Sequence, residues 1–155
     1  MAIVDVRKTL NAPIDAVFEL LTDHANYDKF PGVQTSRLTR EGTAERNGLG
    51  AQREIGIKGA MLWEDVIGFD RPNLFEYRIV KARPPLIKHI MGRVKLEAQG
   101  DQTAVHWTSE FKVRIPFLGR VLEPKLQANF THAFGRMLEE IETRCPESPV
   151  VQKTL

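Results

Sequence analysis

The sequence predicts an α+β fold in which a curved, seven-stranded antiparallel sheet surrounds a long C-terminal helix, with two short helices between the first and second strands. Three observations lead there. Apolar residues late in the chain recur at steps of three and four, as Leu118, Leu122, Leu126, Phe130, Phe134, Met137 and Ile141, which places them on one helical stripe. Between Val33 and Val113 the chain instead breaks into strand-like runs joined by short turns, and short connections require antiparallel neighbours. A further alternating run opens the chain. A one-sided helix needs an apolar surface to lie on, and a sheet curved around it supplies one.

The elements follow in order. Residues Ala2–Leu10 alternate Val4, Val6 and Leu10 against Asp5, Arg7 and Thr9, as a half-buried strand does. Pro13 is tolerated in a first helical turn, Asp15 complements the helix dipole, and Ile14, Val17, Phe18 and Leu21 form the apolar side. A second short helix over His24–Phe30 ends at Pro31-Gly32. Strands are expected at Val33–Arg40, Leu49–Ile57, Ala60–Phe69, Leu74–Lys81, Lys88–Ala98 and Thr103–Val113, separated by glycine-, proline- and Asx-rich turns. The last helix spans Pro116–Arg144, with Pro124 predicting a short turn before it and the main helix, or a kink, after it. Arg136 with Glu140, and Glu140 with Arg144, have the spacing of solvated ion pairs. Pro146–Leu155 reads as a loose polar tail, so residues 1–145 are expected to form one domain.

Composition excludes several function classes. Net charge is +2 with acids and bases mixed along the chain, so no basic face argues for nucleic acid. The single Cys145 permits no internal bridge and suits a reducing compartment. Early charge argues against a secretory signal, and no apolar run reaches membrane-spanning length, so a soluble cytoplasmic protein is expected. His24, His89, His106 and His132 fall in no metal-ligand spacing and read as structural or surface residues; no metal or cofactor is expected. Neither a nucleophile elbow nor a phosphate-cradling glycine loop occurs.

Turn lengths fix hairpin register and so map the interior. A tight turn at Gly100-Asp101 sets Val105 opposite Leu96, Trp107 opposite Val94, Ser109 opposite Gly92 and Phe111 opposite Ile90. A turn at Lys58-Gly59 pairs Ile55 with Leu62, Arg53 with Glu64 and Ala51 with Val66. The next loop puts Val66 opposite Tyr77, Glu64 opposite Ile79 and Gly68 opposite Phe75, and a proline loop then sets Lys81 opposite Lys88. Arg53 and Glu64 therefore point inward as a pair, either as a polar anchor in an apolar space or at a rim that reaches water. The row Val66, Tyr77, Gly92, Ser109 leaves volume that Phe130 or Phe134 fills or that remains a cavity, with Trp107 as a wall, the Tyr77 hydroxyl inside and Met137 in the roof; the cavity is the preferred reading. Trp63, Ile67, Phe69, Leu74 and Val80 are expected on the outer face beside an Asp65–Arg78 pair, unless the register is one residue off and Trp63 faces in.

Thr9-Leu10-Asn11-Ala12-Pro13-Ile14-Asp15-Ala16-Val17-Phe18 and Asp23-His24-Ala25-Asn26-Tyr27-Asp28-Lys29-Phe30-Pro31-Gly32-Val33 resemble the start of an SRPBCC (START and pollen-allergen-like) domain. Glu64-Asp65-Val66 with Phe69-Asp70-Arg71-Pro72-Asn73-Leu74-Phe75-Glu76-Tyr77 resembles the central hairpin of its polyketide cyclase/dehydrase and lipid-transport branch. The resemblance covers roughly Ile3 to Arg144. It implies a helix-grip fold with a hydrophobic cavity between sheet and terminal helix, used across such families for lipids, polyketides or hormones.

Three functions are compatible with these residues. The first is binding or carrying a small hydrophobic ligand with an anionic or carbonyl end, in a site of Arg53, Glu64, Tyr77, Gly92, Trp107, Ser109, Phe130, Phe134 and Met137. The second is a cyclase or dehydratase in the same cavity, with Glu64 as general base or acid and Tyr77 polarising a carbonyl. The third is an interaction protein using the outer Trp63 and Phe69 patch, as in a homodimer.

Overall fold

The computed structural model describes residues 1–145. Its elements are β1 (Ala2–Leu10), α1 (Ile14–Thr22), a 3-10 helix (His24–Lys29), β2 (Val33–Arg40), β3 (Gln52–Ile57), β4 (Ala60–Asp70), β5 (Leu74–Arg83), β6 (Ile87–Gln99), β7 (Gln102–Val113) and α2 (Gly119–Arg144). The strands form one curved seven-stranded antiparallel sheet in the order β1-β7-β6-β5-β4-β3-β2, and α2 lies against it, so the fold is the helix-grip arrangement the sequence predicts. The tail expected over 146–155 lies outside the described residues. No helix among the described residues is long and apolar enough to cross a membrane.

Much of the register matches expectation, including Leu96 with Val105, Val94 with Trp107, Gly92 with Ser109, Arg53 with Glu64, and Val66 with Tyr77. The differences arise where a ladder is interrupted. A bulge between His89 and Met91 sets Phe111 opposite His89 rather than Ile90, and so turns His89 inward. A second irregularity between Val66 and Gly68 pairs Gly68 with Glu76, not Phe75, and sets Phe69 opposite Phe75. Phe69 consequently packs on the core, its ring 5.2 Å from that of Phe18, instead of joining an outer patch. Pairing of β5 with β6 runs from Leu74–Lys95 to Tyr77–Gly92 and goes no further, so Lys81 does not face Lys88 across a ladder.

Other departures are local. Strand β3 starts at Gln52 rather than Leu49, because Gly50, at φ +88°, turns the chain just before it. The separate turn expected before Pro124 is absent, and α2 runs through that proline from Gly119. Asp65 pairs with Arg40 and accepts from Gln52, while Arg78 donates to the Ile90 carbonyl, so the Asp65–Arg78 pair does not form. On α2, Glu140 takes Arg144 and not Arg136.

The interior packs unevenly along α2. Towards its C-terminus Leu138 and Ile141 are fully buried with Leu10, Val17, Phe18 and Leu21. Towards its N-terminus Leu122, Leu126 and Phe130 lie partly buried against Ile87, Phe111 and Val113.

Candidate functional site

The floor of the site is a buried ion pair. Arg53 and Glu64, directly opposite on β3 and β4, are 3% and 5% exposed, which removes the rim alternative. The Arg53 Nε donates to Glu64 Oε2 at 2.7 Å and Nη2 approaches the same oxygen at 2.5 Å. Its Nη1 lies 3.3 Å from Nδ1 of His24, whose Nε2 is 2.8 Å from the Asn47 carbonyl. Only one tautomer serves both contacts: His24 accepts at Nδ1 and carries its proton on Nε2. Burial, with the Arg53 charge, holds that imidazole down to about 3, so it stays neutral. The guanidinium also sits over Tyr27, 4.2 Å from the ring centre, with Phe75 and Tyr77 on other sides. Burial pushes its pKa down, but the Glu64 charge and the Tyr27 hydroxyl raise it by more, and Arg53 remains charged.

Both Arg53 contacts fall on Oε2, so among the described residues Oε1 of Glu64 has no hydrogen-bond partner, and Glu64 lines the adjoining cavity. Tyr77 accepts a hydrogen bond from Trp107 Nε1 at 3.0 Å, so its hydroxyl proton is available to another acceptor. Burial, and then the Glu64 charge, raise the Tyr77 pKa, which keeps the phenol protonated. Gly92 is what lets that ring lie flat: a Cβ there would come within 2.2 Å of Tyr77 Cζ. The volume left by Gly92 is therefore filled by Tyr77 itself.

Beyond Tyr77 lies His89, its ring 5.5 Å away and nearly parallel. The Ile79 backbone N–H donates to His89 Nδ1 at 3.0 Å, which leaves the proton on Nε2, 2.9 Å from Ser109 Oγ. Burial lowers this imidazole to about 4 against the opposing charge of Glu64, with Arg78 adding to the depression. His89 therefore donates to Ser109 and cannot take its proton, so the pair is not an activated nucleophile. Instead the Ser109 hydroxyl is turned into a donor towards the cavity.

These groups border a cavity of about 440 Å³ under the N-terminal half of α2. Its walls are apolar: Leu62, Ile79, Leu86, Ile87, Phe111, Leu126, Phe130 and Phe134. The polar groups Glu64, Tyr77, His89 and Ser109 face it from the sheet, Asn129 from the helix and Lys58 from the β3–β4 turn. Of the expected site residues, Glu64, Tyr77, Ser109, Phe130 and Phe134 come together here. Arg53, Gly92, Trp107 and Met137 do not border it: Arg53 is spent on Glu64 and His24, Trp107 stacks 4.0 Å from Phe134, and Met137 is core. His24 and His89 are interior groups that the pattern does not single out, because a bulge and a loop carbonyl place them. Among the described residues no cluster of His, Cys, Asp and Glu has metal-site geometry, and burial pushes the Cys145 thiol up to about 11.

The geometry has counterparts. A family model described as polyketide cyclase/dehydrase and lipid transport matches residues 1–145. No curated protein sequence matches the chain. Among solved structures, a START superfamily protein from Mycobacterium smegmatis superposes with a TM-score of 0.75 at 13% identity, over 91% of this chain and 97% of that one. The Zhui aromatase/cyclase from Streptomyces sp. R1128 gives 0.67 at 21% identity, over 92% and 94%. A norcoclaurine synthase from Thalictrum flavum, complexed with a transition-state analogue, gives 0.64 at 14%, over 92% and 94%. At such identities these three show the fold alone, but the family model spans every described residue, and the chain belongs to the polyketide cyclase/dehydrase and lipid transport family of the SRPBCC superfamily.

Proposed function

We propose that this protein binds or carries a small apolar molecule with a neutral hydroxyl- or carbonyl-bearing end, held in the cavity under α2. The observation that carries the reading is the composition of that cavity: hydrocarbon walls, with the Glu64 carboxylate and the Tyr77 and Ser109 hydroxyls at the sheet. An anionic end anchored by Arg53 is disfavoured, since the guanidinium is already engaged and the oxygen that meets a guest is the carboxylate's. A guest hydroxyl can donate to Glu64, and a guest carbonyl can accept from Ser109 or Tyr77. Native mass spectrometry of protein purified from its own host without detergent, together with titration of the neutral fluorophore N-phenyl-1-naphthylamine, tests the reading. We expect a bound organic molecule or saturable probe binding that Leu126→Trp, which fills the cavity, weakens at least ~10-fold. No bound species and no saturable probe binding would remove its support.

The Glu64 oxygen that Arg53 leaves unpaired also favours a second reading, an enzyme of the cyclase or dehydratase type. Here Glu64 removes a proton next to a carbonyl that Ser109 and Tyr77 hold and polarise, and the cavity orients the chain. The Zhui protein, named an aromatase/cyclase, is fold-level support for this reading. Glu64→Gln would then abolish turnover of a poly-β-ketone thioester while leaving N-phenyl-1-naphthylamine binding within ~3-fold; unchanged turnover rules out Glu64 as the base. The interaction reading is weakened, because Trp63 is tied to Glu54 under Lys81 and Phe69 is turned inward.

A further inference from the structure

Next to the β5–β6 loop, whose Leu86 lines the cavity, the loop before α2 and the first turn of α2 carry large apolar side chains that no other described residue covers. Phe117 is 102% exposed, Val121 71%, Leu118 54%, and Leu86 on the β5–β6 loop 44%. The two loops are joined, since the Arg114 N–H donates to the Leu86 carbonyl at 2.7 Å, and Leu86 also lines the cavity. Phe117 holds φ at +66°, a conformation costly for a bulky residue and one that a fold keeps only where the rest of the loop imposes it. The stretches of chain that carry these residues hold charge of one sign. Charge is mixed over the chain as a whole, but no acidic residue occurs between Glu76 and Glu97 or between Glu110 and Glu123, and Arg83, Lys88, Lys112, Arg114, Arg120 and Lys125 are all exposed. Glu123, the nearest acid along the chain, is paired with the N-terminal ammonium at 2.8 Å.

We propose that Phe117, Leu118, Val121 and Leu86 form a membrane-docking tip that inserts at the headgroup boundary of an anionic lipid surface while the surrounding cations bind its phosphates. Charge complementarity selects this occupant: an apolar projection ringed by lysine and arginine matches a surface that is negative outside and hydrocarbon beneath. Its place beside the cavity lets an apolar guest pass between bilayer and cavity with little exposure to water. The tip operates whether the guest is only carried or is also transformed.

The test is co-flotation of the full ligand-free chain with phosphatidylcholine vesicles with and without phosphatidylglycerol, which makes it independent of any cavity ligand. Binding is expected to be at least ~10-fold stronger with phosphatidylglycerol and to fall steeply with salt. Phe117→Asp and Val121→Asp should each weaken it at least ~10-fold, and Arg114→Glu should reduce the preference for anionic lipid, while Val80→Asp, at an exposed site on β5, changes nothing. Because these side chains are exposed, the variants should melt as the parent does. Absence of binding to anionic vesicles, or equal binding by Phe117→Asp, overturns the proposal. So does lipid-independent self-association that Phe117→Asp abolishes, which would put a second copy on the tip.

Discussion

The two halves of α2 lie on the same sheet and meet different interiors. Under its C-terminal half Leu138 and Ile141 fit a solid core with Phe18 and Leu21, whereas under its N-terminal half Leu126 and Phe130 face open volume. Small side chains do not explain the difference, since Gly92 is covered by Tyr77. The hollow begins where β5 and β6 part after Tyr77–Gly92, where His89 is displaced by a bulge, and where the Pro84-Pro85 loop holds the strands apart. Separation of strands, not deletion of side chains, makes the space. The last ordered polar groups before it, Glu64, Tyr77 and Ser109, become its chemistry.

The comparison is most severely tested at its boundary. Arg53→Ala should cost about 3–5 kcal/mol, because it strands a buried carboxylate and takes the donor from His24; with a chain of this size that lowers Tm by roughly 10–20 °C. Thermal and urea unfolding read it, and a loss below about 1 kcal/mol would mean the pair is wet. Next, Leu138→Ala should cost about 2–5 kcal/mol while Leu126→Ala costs about 1 kcal/mol or less, since a side chain already facing a void loses fewer contacts. Equal losses would erase the distinction between the halves. Gly92→Ala should destabilise by about 1–3 kcal/mol by driving Tyr77 off Trp107, seen as a change in tryptophan fluorescence.

A smaller effect is expected with pH. His24 and His89 are neutral in the fold, at about 3 and about 4, below the ordinary value of 6.5. Between these limits the unfolded chain binds more protons, so stability rises with pH there. The contribution is complete above about pH 6.5 and is lost as pH falls towards 4 and then 3, on the order of a few kcal/mol. His89→Gln, which can keep both hydrogen bonds, should flatten part of that slope; an unchanged slope would show that His89 does not titrate across the transition.

Most of the architecture was legible in the sequence because alternation and turn length are local signals. Arg53 opposite Glu64 and Gly92 opposite Ser109 follow from counting outward from tight turns, and Tyr77 opposite Gly92 from counting outward from the proline loop. The same counting fails past an inserted residue: an unbroken ladder puts Ile90 inside, and only the bulge replaces it with His89. Phe69 moved for the same reason. Arg53 and Gly92 lie off the cavity for another reason: periodicity tells which way a side chain points but not what already occupies the space in front of it. The exposed Phe117 is not legible because the sequence places it inside the first turn of a helix over Pro116–Arg144, whereas that helix starts at Gly119 and Phe117 stands before it at φ +66°.

The central claim is that an apolar cavity ends in a free carboxylate oxygen beside neutral hydroxyls. Displacement of N-phenyl-1-naphthylamine by dodecanol and by dodecanoate at neutral pH tests it most directly. The alcohol should compete at least ~10-fold better, a difference of about 1.4 kcal/mol set by repulsion between the two carboxylates, and Glu64→Gln should close the gap. Tighter binding of dodecanoate to the unmodified protein would contradict the account.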